Sequence, residues 1–358
     1  MKVNLIHQIP PSENNPRNSE GAFLRGKQGE ILFAYSRYTG ESCHDHATCD
    51  IALTVSYDEG HTWSEPRILV TAEEFGTSNI MSVSAMEQSD GRLAFYFLIK
   101  ENDFTTTIGR VIGEDAAAFR AERCALHCPA AYYIVNNDRL VRLSDGRIVA
   151  PAAYMTQEQN RRHTENPKER FPLVTTCLVS EDDGKSFYKA NFDLSSNDPV
   201  NRAKGMQEPG IIEYPGSLYL WMRTGYGRQY ESVSTTGLDG FFAPRPSMFT
   251  SPDSPMQIKS FEGVTYAIYN PIPLYNGRVC PPGVWGRTPF VIRKSLDNGA
   301  TFGPLNIIED EETRGYCYPA MFFTRDRRLL VGYCRGNETD GNTLCRLGIC
   351  EIELDTIE

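Results

Sequence analysis

The sequence predicts an all-β protein that folds as a six-bladed β-propeller. Strand-rich hairpins with glycine or aspartate at the turn recur six times along the 358 residues. A second short motif of serine, aspartate, glycine and an aromatic residue follows several of these hairpins. Helical periodicity is nearly absent. Self-similarity at tens of residues is typical of repeat architectures, and repeats of about four strands favour a propeller, whose sheets pack face to face around an axis.

The hairpin repeat is clearest at residues 208–223, EPGIIEYPGSLYLWMR. Two apolar runs flank Pro215-Gly216, and glycine supplies the positive φ that a tight hairpin turn needs. The six turns lie at Gly29, Gly91, Gly146, Gly216, Gly263 and Asp326. Residues 114–123 alone have helical character, so we expect a helix there. Residues 1–8 are expected to add a strand to the last blade, which would close the ring and cover its edge.

The second motif predicts a stapled turn. Its first copy is Ser56-x-Asp58-x-Gly60-x-x-Trp63, and further copies run from Ser180 to Phe187 and from Ser295 to Phe302. A fourth, residues 234–241, keeps the ends but lacks the aspartate and glycine. The carboxylate can accept hydrogen bonds from turn N–H groups, glycine can adopt a left-handed conformation, and the aromatic ring can seal the blade edge. We therefore expect a structural role for the motif.

Composition excludes several classes of function. The net charge of −10 argues against nucleic acid and anionic membrane surfaces as partners. No apolar run approaches the length of a membrane span, and the N-terminus does not resemble a secretory signal, so a cytoplasmic location is expected. The ten cysteines are expected to be free thiols. The cysteines and histidines of residues 43–49 do not match a common zinc-site spacing, and we expect neither a metal nor a cofactor. Nothing marks a second domain, so residues 1–358 are predicted to form one propeller.

Polar residues are predicted to converge at one mouth of the propeller. The innermost strands run in the same direction along the axis, so their first residues meet at one end, where the second strands also finish. The first set comprises Glu20, Ser82, Asn137, Glu208, Ser254 or Pro255, and Tyr318. The second set includes Arg37, Tyr154, Arg223, Asn270 and Arg335. Glu208 and Arg223 lie at paired ends of one hairpin, where the simplest interpretation is a structural ion pair. A charged ring at this mouth nevertheless predicts a polar ligand site.

The three motif copies in register resemble the Asp boxes of the sialidase superfamily, which are six-bladed propellers. The resemblance extends from Glu20 to about Glu353. It implies a tyrosine nucleophile at Tyr318, with Tyr316 as the alternative, and a catalytic glutamate at Glu208. It implies an acid/base at Asp45 on the loop before the first Asp box, with Asp50 as the alternative. The arginines that it assigns to substrate binding are Arg37, Arg223 and Arg287.

These residue types suit the implied chemistry. A phenol with a pKa near ~10 is a poor nucleophile unless a carboxylate takes its proton, which Glu208 would do beside Tyr318. A phenol also avoids bringing a second negative charge toward an anionic sugar, and tyrosine nucleophiles are the sialidase exception to paired carboxylates. Asp45 would protonate the leaving oxygen and then deprotonate water. Trp285, between two glycines, is a candidate stacking platform, whereas Trp221 is expected in the core.

The chain departs from the sialidase pattern in its first blade. Where the family has an Arg-Ile-Pro motif that binds the sugar carboxylate, this chain has Asn18-Ser19-Glu20-Gly21. The negative charge of Glu20 would repel a sugar carboxylate at this position. Arg17 or Arg25 could compensate the charge of Glu20. Asn137 and Arg139 add an amide and a cation to the mouth, which suits recognition of sugar hydroxyls; a strand-entry salt bridge between Asp138 and Arg139 is the alternative.

The sequence therefore predicts an exo-acting, retaining glycoside hydrolase that removes a terminal, acidic, sialic-acid-like sugar from a glycan. Two alternatives stay open. One is an enzyme of the same fold acting on a non-sialic sugar, including a uronate lyase with Tyr318 as base. The other is a glycan-binding propeller without turnover, although binding alone needs no acid and base.

Overall fold

Six β-sheets surround a common axis in the computed structural model, which describes residues 1–169, 171–195, 204–272 and 280–358. Blades one to three contain these strands: β2 Arg17–Arg25, β3 Ile31–Tyr38, β4 Cys49–Ser56 and β5 Arg67–Val70; β6 Ile80–Glu87, β7 Leu93–Asn102, β8 Thr105–Gly113 and β9 Phe119–Arg123; β10 Ala125–His127, β11 Ala131–Ile134, β12 Val141–Arg142, β13 Ile148–Thr156, β14 Val174–Ser180 and β15 Ser186–Lys189. In the third blade, β11 and β12 both pair with β13, and β10 adds a parallel edge to β15.

The remaining blades follow the same antiparallel order. They contain these strands: β16 Gln207–Tyr214, β17 Ser217–Arg223, β18 Arg228–Ser234 and β19 Arg245–Thr250; β20 Gln257–Phe261, β21 Val264–Tyr269, β22 Phe290–Ser295 and β23 Asn306–Glu309; β24 Cys317–Phe323, β25 Arg328–Cys334 and β26 Leu347–Glu353. The fourth strand of the last blade is β1, Val3–Ile9, which pairs antiparallel with β26. The expected ring closure by the N-terminus is thus confirmed.

The predicted helix at residues 114–123 is wrong. Its second half is the edge strand β9, in which Phe119 and Ala121 pack against the core between the first two blades. Pairing with β8 supplies backbone hydrogen-bond partners, so tertiary context outweighs the helix preference of the alanines. An α-helix forms instead at Gln157–Glu165 (α1), where Thr156 and Gln159 make a capping box. Short 3-10 turns lie at Ala72–Phe75 and Leu354–Thr356. No helix in the described ranges is long and apolar enough to cross a membrane.

The hydrophobic core is divided among the interfaces between neighbouring blades. In the described part of the chain, each of the six large apolar clusters joins one pair of adjacent blades. The cluster between the last and first blades, for example, contains Phe33 of β3 and Leu330 of β25. Ile9 of β1 joins this cluster, so ring closure also buries apolar surface.

The Asp boxes have the expected structural role. In the first copy, the Ser56 hydroxyl donates to Asp58 at 2.8 Å and accepts from the Gly60 N–H at 2.8 Å. The copies at Ser180 and Ser295 repeat this staple. Gly60 has φ 96°, and a Cβ there would lie 2.6 Å from Leu330 of the preceding blade. The motif therefore needs glycine both for its backbone conformation and for close contact between blades.

Four inner strands carry a bulge near the mouth of the axis. In β2, β6, β16 and β24 the pairing register shifts, and one residue beside each shift has positive φ. These residues are Glu20 (55°), Ser82 (63°), Glu208 (41°) and Tyr318 (55°). A non-glycine residue in this conformation costs of order 1–3 kcal/mol, and a bulge re-aims its side chain. The bulges thus turn these side chains out of the ladder toward the axis.

Removing β1 tests the ring closure. A chain lacking residues 1–9 should lose about 2–5 kcal/mol of unfolding free energy, the scale of deleting one buried aliphatic side chain, because Ile9 and its apolar contacts are lost. It should also self-associate, because the edge of β26 becomes unpaired. Denaturant titration and light scattering would measure both. As a control, deletion of only Met1 and Lys2 should change stability little, because the ion pair between Lys2 and Glu353 is exposed. If the two truncated chains were equally stable, β1 would not contribute to ring closure.

Candidate active site

A buried phenol, carboxylate and guanidinium meet at the mouth of the axis. The Tyr318 hydroxyl donates to Glu208 Oε1 at 2.8 Å, and Arg223 Nη1 donates to Glu208 Oε2 at 2.7 Å. Arg223 Nη1 also reaches the Tyr318 oxygen at 3.4 Å. All three residues are buried, and Tyr318 comes from a different blade than the other two. The phenol therefore has a proton acceptor and a cationic donor, both already in place.

Burial and the neighbouring Glu208 carboxylate raise the pKa of Tyr318 well above its usual value. Arg223 and Arg287 act in the opposite direction but do not reverse the shift. The phenol is consequently neutral at physiological pH and keeps its proton in the hydrogen bond to Glu208. Any attack by its oxygen must be coupled to transfer of that proton to Glu208.

Arg287 lies over the Tyr318 ring, with Cζ 5.7 Å from the ring centroid. It is buried, and it donates to the Cys317 thiol at 3.1 Å and to the Asp253 main-chain oxygen at 3.2 Å. It forms no ion pair with any residue in the described ranges, and its buried Nε has no hydrogen-bond partner there. Arg287 therefore offers a positive charge that no described carboxylate neutralises.

Glu20 occupies the same mouth from the first blade. Its Oε2 lies 3.2 Å from Arg17 Nη2, and both side chains are buried. Burial first, and the carboxylates of Asp45 and Glu208 in addition, raise the pKa of Glu20 to about 7, although Arg17 opposes this. Arg17 supplies the compensating cation, whereas Arg25 pairs with Glu59. The Glu20 carboxyl therefore gains or loses its proton near neutral pH.

Asp45 lies at the solvent side of this group. Its Oδ1 is 2.5 Å from Arg17 Nη1, and its side chain is 61% exposed. Desolvation opposes the shift, but Arg17 and Lys100 bring the pKa of Asp45 below its usual value. The Lys100 ammonium donates to the Asp45 main-chain oxygen and so holds the loop in place. Asp50, by contrast, accepts from the Ala72 N–H at 2.8 Å, so of these two aspartates it is Asp45 that lies at the mouth.

Several predicted residues have other positions or contacts. The described part of the chain shows no hydrogen bond or ion pair between Arg37 and this group; Arg37 lies on β3 opposite Asn18 and Asp50. Tyr316 is fully buried, stacks on Phe290 and does not contact Glu208. The expectation that Trp221 lies in the core is confirmed, since it is 1% exposed.

Asn137 and Arg139 lie beneath the mouth and bind protein groups. The Asn137 amide donates to the main-chain oxygens of Gly21 at 2.9 Å and Tyr318 at 3.2 Å. The Arg139 guanidinium is buried and donates to the Gln257 side chain and to the Met256 oxygen. Asn137 thus positions the backbone that carries Tyr318, and Arg139 braces the third blade against the fifth. Asp138 pairs with Lys259 at 2.7 Å, not with Arg139 as the alternative interpretation required.

Sequence reasoning missed two charged contributors. Asp253 accepts from Arg223 Nε at 2.6 Å and also pairs with Lys204. Desolvation opposes the shift, but these cations lower the pKa of Asp253 to about 2. Lys100 was missed as well. Both lie beside positions assigned to the mouth, Asp253 next to Ser254 and Lys100 at the end region of a second strand, so the repeat register could have indicated them.

The six sheets around one axis define a six-bladed propeller of the sialidase-like fold. A profile of the BNR repeat-like domain family matches residues 35–332, which is most of the chain. The chain belongs to this family. No curated protein sequence matches it.

Solved structures agree with the fold. A protein of unknown function from Dyadobacter fermentans superimposes with a TM-score of 0.71 at 16% identity, covering 98% of this chain and 99% of that one. The Hadza microbial sialidase Hz136 gives 0.74 at 13% identity, covering 96% and 67%. The Trypanosoma rangeli sialidase in complex with 2,3-difluorosialic acid, described as a covalent intermediate, gives 0.66 at 12% identity, covering 95% and 54%. At these identities the likeness establishes the fold, and the predicted six-bladed sialidase-like architecture is confirmed.

Because the pKa of Glu20 is raised, the free energy of unfolding should depend on pH. Between pH 4.5 and about 7, the native protein retains a proton on Glu20 that the unfolded chain releases, so the free energy of unfolding falls as pH rises. Glu20→Gln removes this loss. The midpoint of thermal unfolding of Glu20→Gln, relative to the unchanged protein, should therefore increase from pH 5 to pH 8. Asn14→Ala, which removes an exposed amide that does not titrate, provides a control and should show a flat difference. A flat difference for Glu20→Gln would show that this carboxyl is already ionised.

Proposed function

We propose that the protein is an exo-acting, retaining glycoside hydrolase that cleaves a terminal, acidic, sialic-acid-like sugar with Tyr318 as nucleophile. The single observation that carries this proposal is the 2.8 Å hydrogen bond from the buried Tyr318 hydroxyl to Glu208. A phenol beside a carboxylate and a guanidinium can attack an anomeric carbon while its proton moves to Glu208. The sialidases that share the fold support the class of reaction.

The reaction has two displacements. In the first, the Tyr318 oxygen bonds to the anomeric carbon, Glu208 takes the phenol proton, and Asp45 protonates the leaving oxygen as its bond to carbon breaks. In the second, Asp45 takes a proton from water, the water oxygen bonds to the anomeric carbon, and Tyr318 leaves and regains its proton from Glu208. Two inversions give net retention.

Asp45 suits the acid/base role by position. Of the four carboxylates that the structure describes at the mouth, Asp45 has the most exposed side chain, at 61%, so a leaving group can reach it. The pair with Arg17 favours the ionised form of Asp45. Substrate must therefore loosen that pair or desolvate Asp45 before Asp45 carries a proton, which couples acid catalysis to binding.

The proposed acidic substrate rests on Arg287. Its guanidinium faces the Tyr318 ring without a carboxylate partner in the described ranges, so a sugar carboxylate bound there would gain a charge-assisted hydrogen bond. Trp285, 48% exposed and with its ring centroid 5.0 Å from Arg287 Cζ, offers a face for the sugar ring.

A second candidate substrate is a non-sialic sugar, and Glu20 favours it. Arg17 and Arg223 are already paired with Glu20, Asp45, Glu208 and Asp253, whereas Arg287 has no carboxylate partner among the described residues. This arrangement of charges would fit a sugar whose single acidic group binds only Arg287, or a sugar whose hydroxyls donate to Glu20. A screen of terminal acidic and deoxy sugars, including sialic acids, with mass detection of products separates the two and also distinguishes hydrolysis from elimination.

Tyr318→Phe tests the nucleophile. It should lower kcat by at least about 100-fold on a substrate from the screen, because it removes the attacking oxygen. Tyr316→Phe is the matched control: that hydroxyl is buried, two residues away and without a partner in the described part of the chain, so its loss should leave kcat within about twofold. Glu208→Gln should resemble Tyr318→Phe. Equal rates for Tyr318→Phe and Tyr316→Phe would eliminate Tyr318 as the nucleophile.

Asp45→Ala tests the proton donor through the leaving group. Activity should fall by about 100-fold or more with a sugar leaving group, which needs protonation, and by much less with the corresponding glycosyl fluoride, whose leaving group needs little help. Steady-state kinetics on both substrates would measure the ratio. Asp50→Ala should alter stability through the lost bond to Ala72 but should change both activities equally. If Asp45→Ala also affects both substrates equally, another group is the acid.

A further inference from the structure

The β3–β4 loop, residues 39–48, carries Asp45 and is held at two places. The second blade holds Asp45 itself: the Asn79 amide donates to the Asp45 main-chain oxygen at 3.1 Å, and the Lys100 ammonium donates to the same oxygen. The first half of the loop is held through Cys43, whose side chain is half-buried. The proposed acid/base therefore has a partly exposed thiol two residues before it.

The Cys43 thiol meets the thiol of Cys345, which lies in the loop before β26 of the last blade. The Asn342 amide donates to Cys43 Sγ at 3.6 Å, and the Cys345 N–H donates to the Asn342 main-chain oxygen at 3.2 Å. The two thiols hydrogen-bond each other. Adjacent residues of β2 hold both backbones: Arg17 Nη1 donates to the Cys43 oxygen at 3.2 Å, and the Asn18 N–H donates to the Cys345 oxygen at 3.1 Å. The pair therefore spans the junction between the last and first blades.

The segment around Cys345 is fixed and contacts the other half of the candidate site. Asp340 pairs with Arg346 at 2.6 Å, which closes the loop before β26 on itself. Leu344 packs against the buried cluster that contains Tyr318. A covalent bond to Cys345 would therefore join the β3–β4 loop to the wall of the proposed nucleophile.

Exposure gives the two thiols different roles. Cys345 is 1% exposed, and burial together with the neighbouring Cys43 thiol raises the pKa of Cys345 to about 12, so Cys345 is a neutral thiol. Cys43 is the more exposed and meets a reagent from solvent first. The thiols of Cys317 and Cys334 form a similar hydrogen-bonded pair, but both residues are 0% exposed. A small oxidant should therefore react at Cys43, with Cys345 beside it as the resolving thiol.

We propose that Cys43 and Cys345 form a reversible disulfide in response to hydrogen peroxide, which ties the β3–β4 loop to the last blade and restricts Asp45. The Cys43 sulfur attacks a peroxide oxygen, the O–O bond breaks, and water leaves, which gives a sulfenic acid. The Cys345 sulfur then attacks the Cys43 sulfur, the S–O bond breaks, and the Cys345 proton leaves with the hydroxyl as a second water. The two thiols lose two electrons, which the peroxide gains. Only the consequence for acid catalysis rests on the proposed function.

Peptide mapping tests the disulfide without any substrate. The protein would be treated with hydrogen peroxide, blocked with N-ethylmaleimide and digested with trypsin without reduction. Residues 38–67 and 336–346 should appear as one cross-linked peptide, which dithiothreitol separates. Because residues 38–67 also contain Cys49, fragmentation of the peptide must place the link at Cys43. Cys43→Ser should remove the cross-link, whereas Cys128→Ser, at another half-buried cysteine, should retain it.

Hydrogen exchange measures the restriction of the loop. Amide exchange in residues 39–48 should be slower in the oxidised than in the reduced protein, and peroxide should not change it in Cys43→Ser. The inference is overturned if peroxide forms no link between Cys43 and Cys345, if it links Cys317 to Cys334 first, or if the loop exchanges equally fast in both forms.

Kinetics separate the inference from the proposed function. With a sugar leaving group, peroxide should lower kcat at least about tenfold in the unchanged protein but less than about twofold in Cys43→Ser, because Asp45 must loosen its pair with Arg17 to act as an acid. Equal losses in the two proteins would overturn the restriction of Asp45. If no glycoside is hydrolysed but the cross-link forms and exchange slows, the proposed hydrolysis fails while the disulfide stands.

Discussion

The left-handed bulge in the inner strands is the constraint on which the site depends. A regular strand at the mouth would alternate its side chains between the two interfaces of its blade, and both interfaces are apolar. One residue of positive φ breaks that alternation and directs a polar side chain along the axis. Glu20, Glu208 and Tyr318 all have this conformation, although none of them is a residue that favours it. The packed interfaces between blades hold the strained conformation in place, so core stability supports site geometry.

Charge pairing controls what the site can do. Carboxylates and buried guanidinium groups alternate around the mouth, from Asp45 through Arg17 to Glu20, and from Glu208 through Arg223 to Asp253. Each pair offsets the desolvation cost of the other charge, which lets several ionisable groups share a small volume. The result is a neutral Tyr318 beside a carboxylate base, and a Glu20 that titrates near neutral pH. Arg287 is the exception, because it has no carboxylate partner among the described residues.

Sequence patterns predicted the structure correctly where residues close together in the chain determine the conformation. The hairpin turns and the Asp boxes depend on glycine conformation and on side chains two to four residues apart, so the sequence suffices to predict them. Residues 114–123 were mispredicted because the partner strand β8, not the segment itself, supplies the hydrogen bonds. Arg37 was placed at the mouth by its position near the end of β3 and by resemblance. Of the two arginines expected to compensate Glu20, Arg17 does so, because its position on β2 lets one guanidinium reach both Glu20 and Asp45.

By itself, the sequence determined the propeller, its six repeats, the stapled turns and the set of inner-strand residues that approach one end of the axis. These follow from periodicity and turn chemistry, which act over a few residues. Only the tertiary structure decided that the Tyr318 hydroxyl, and not that of Tyr316, meets Glu208, that Asn137 and Arg139 brace the blades, and that the Cys43 thiol meets that of Cys345. Those outcomes depend on distances between blades, which the closure of the ring sets and which no short stretch of chain encodes.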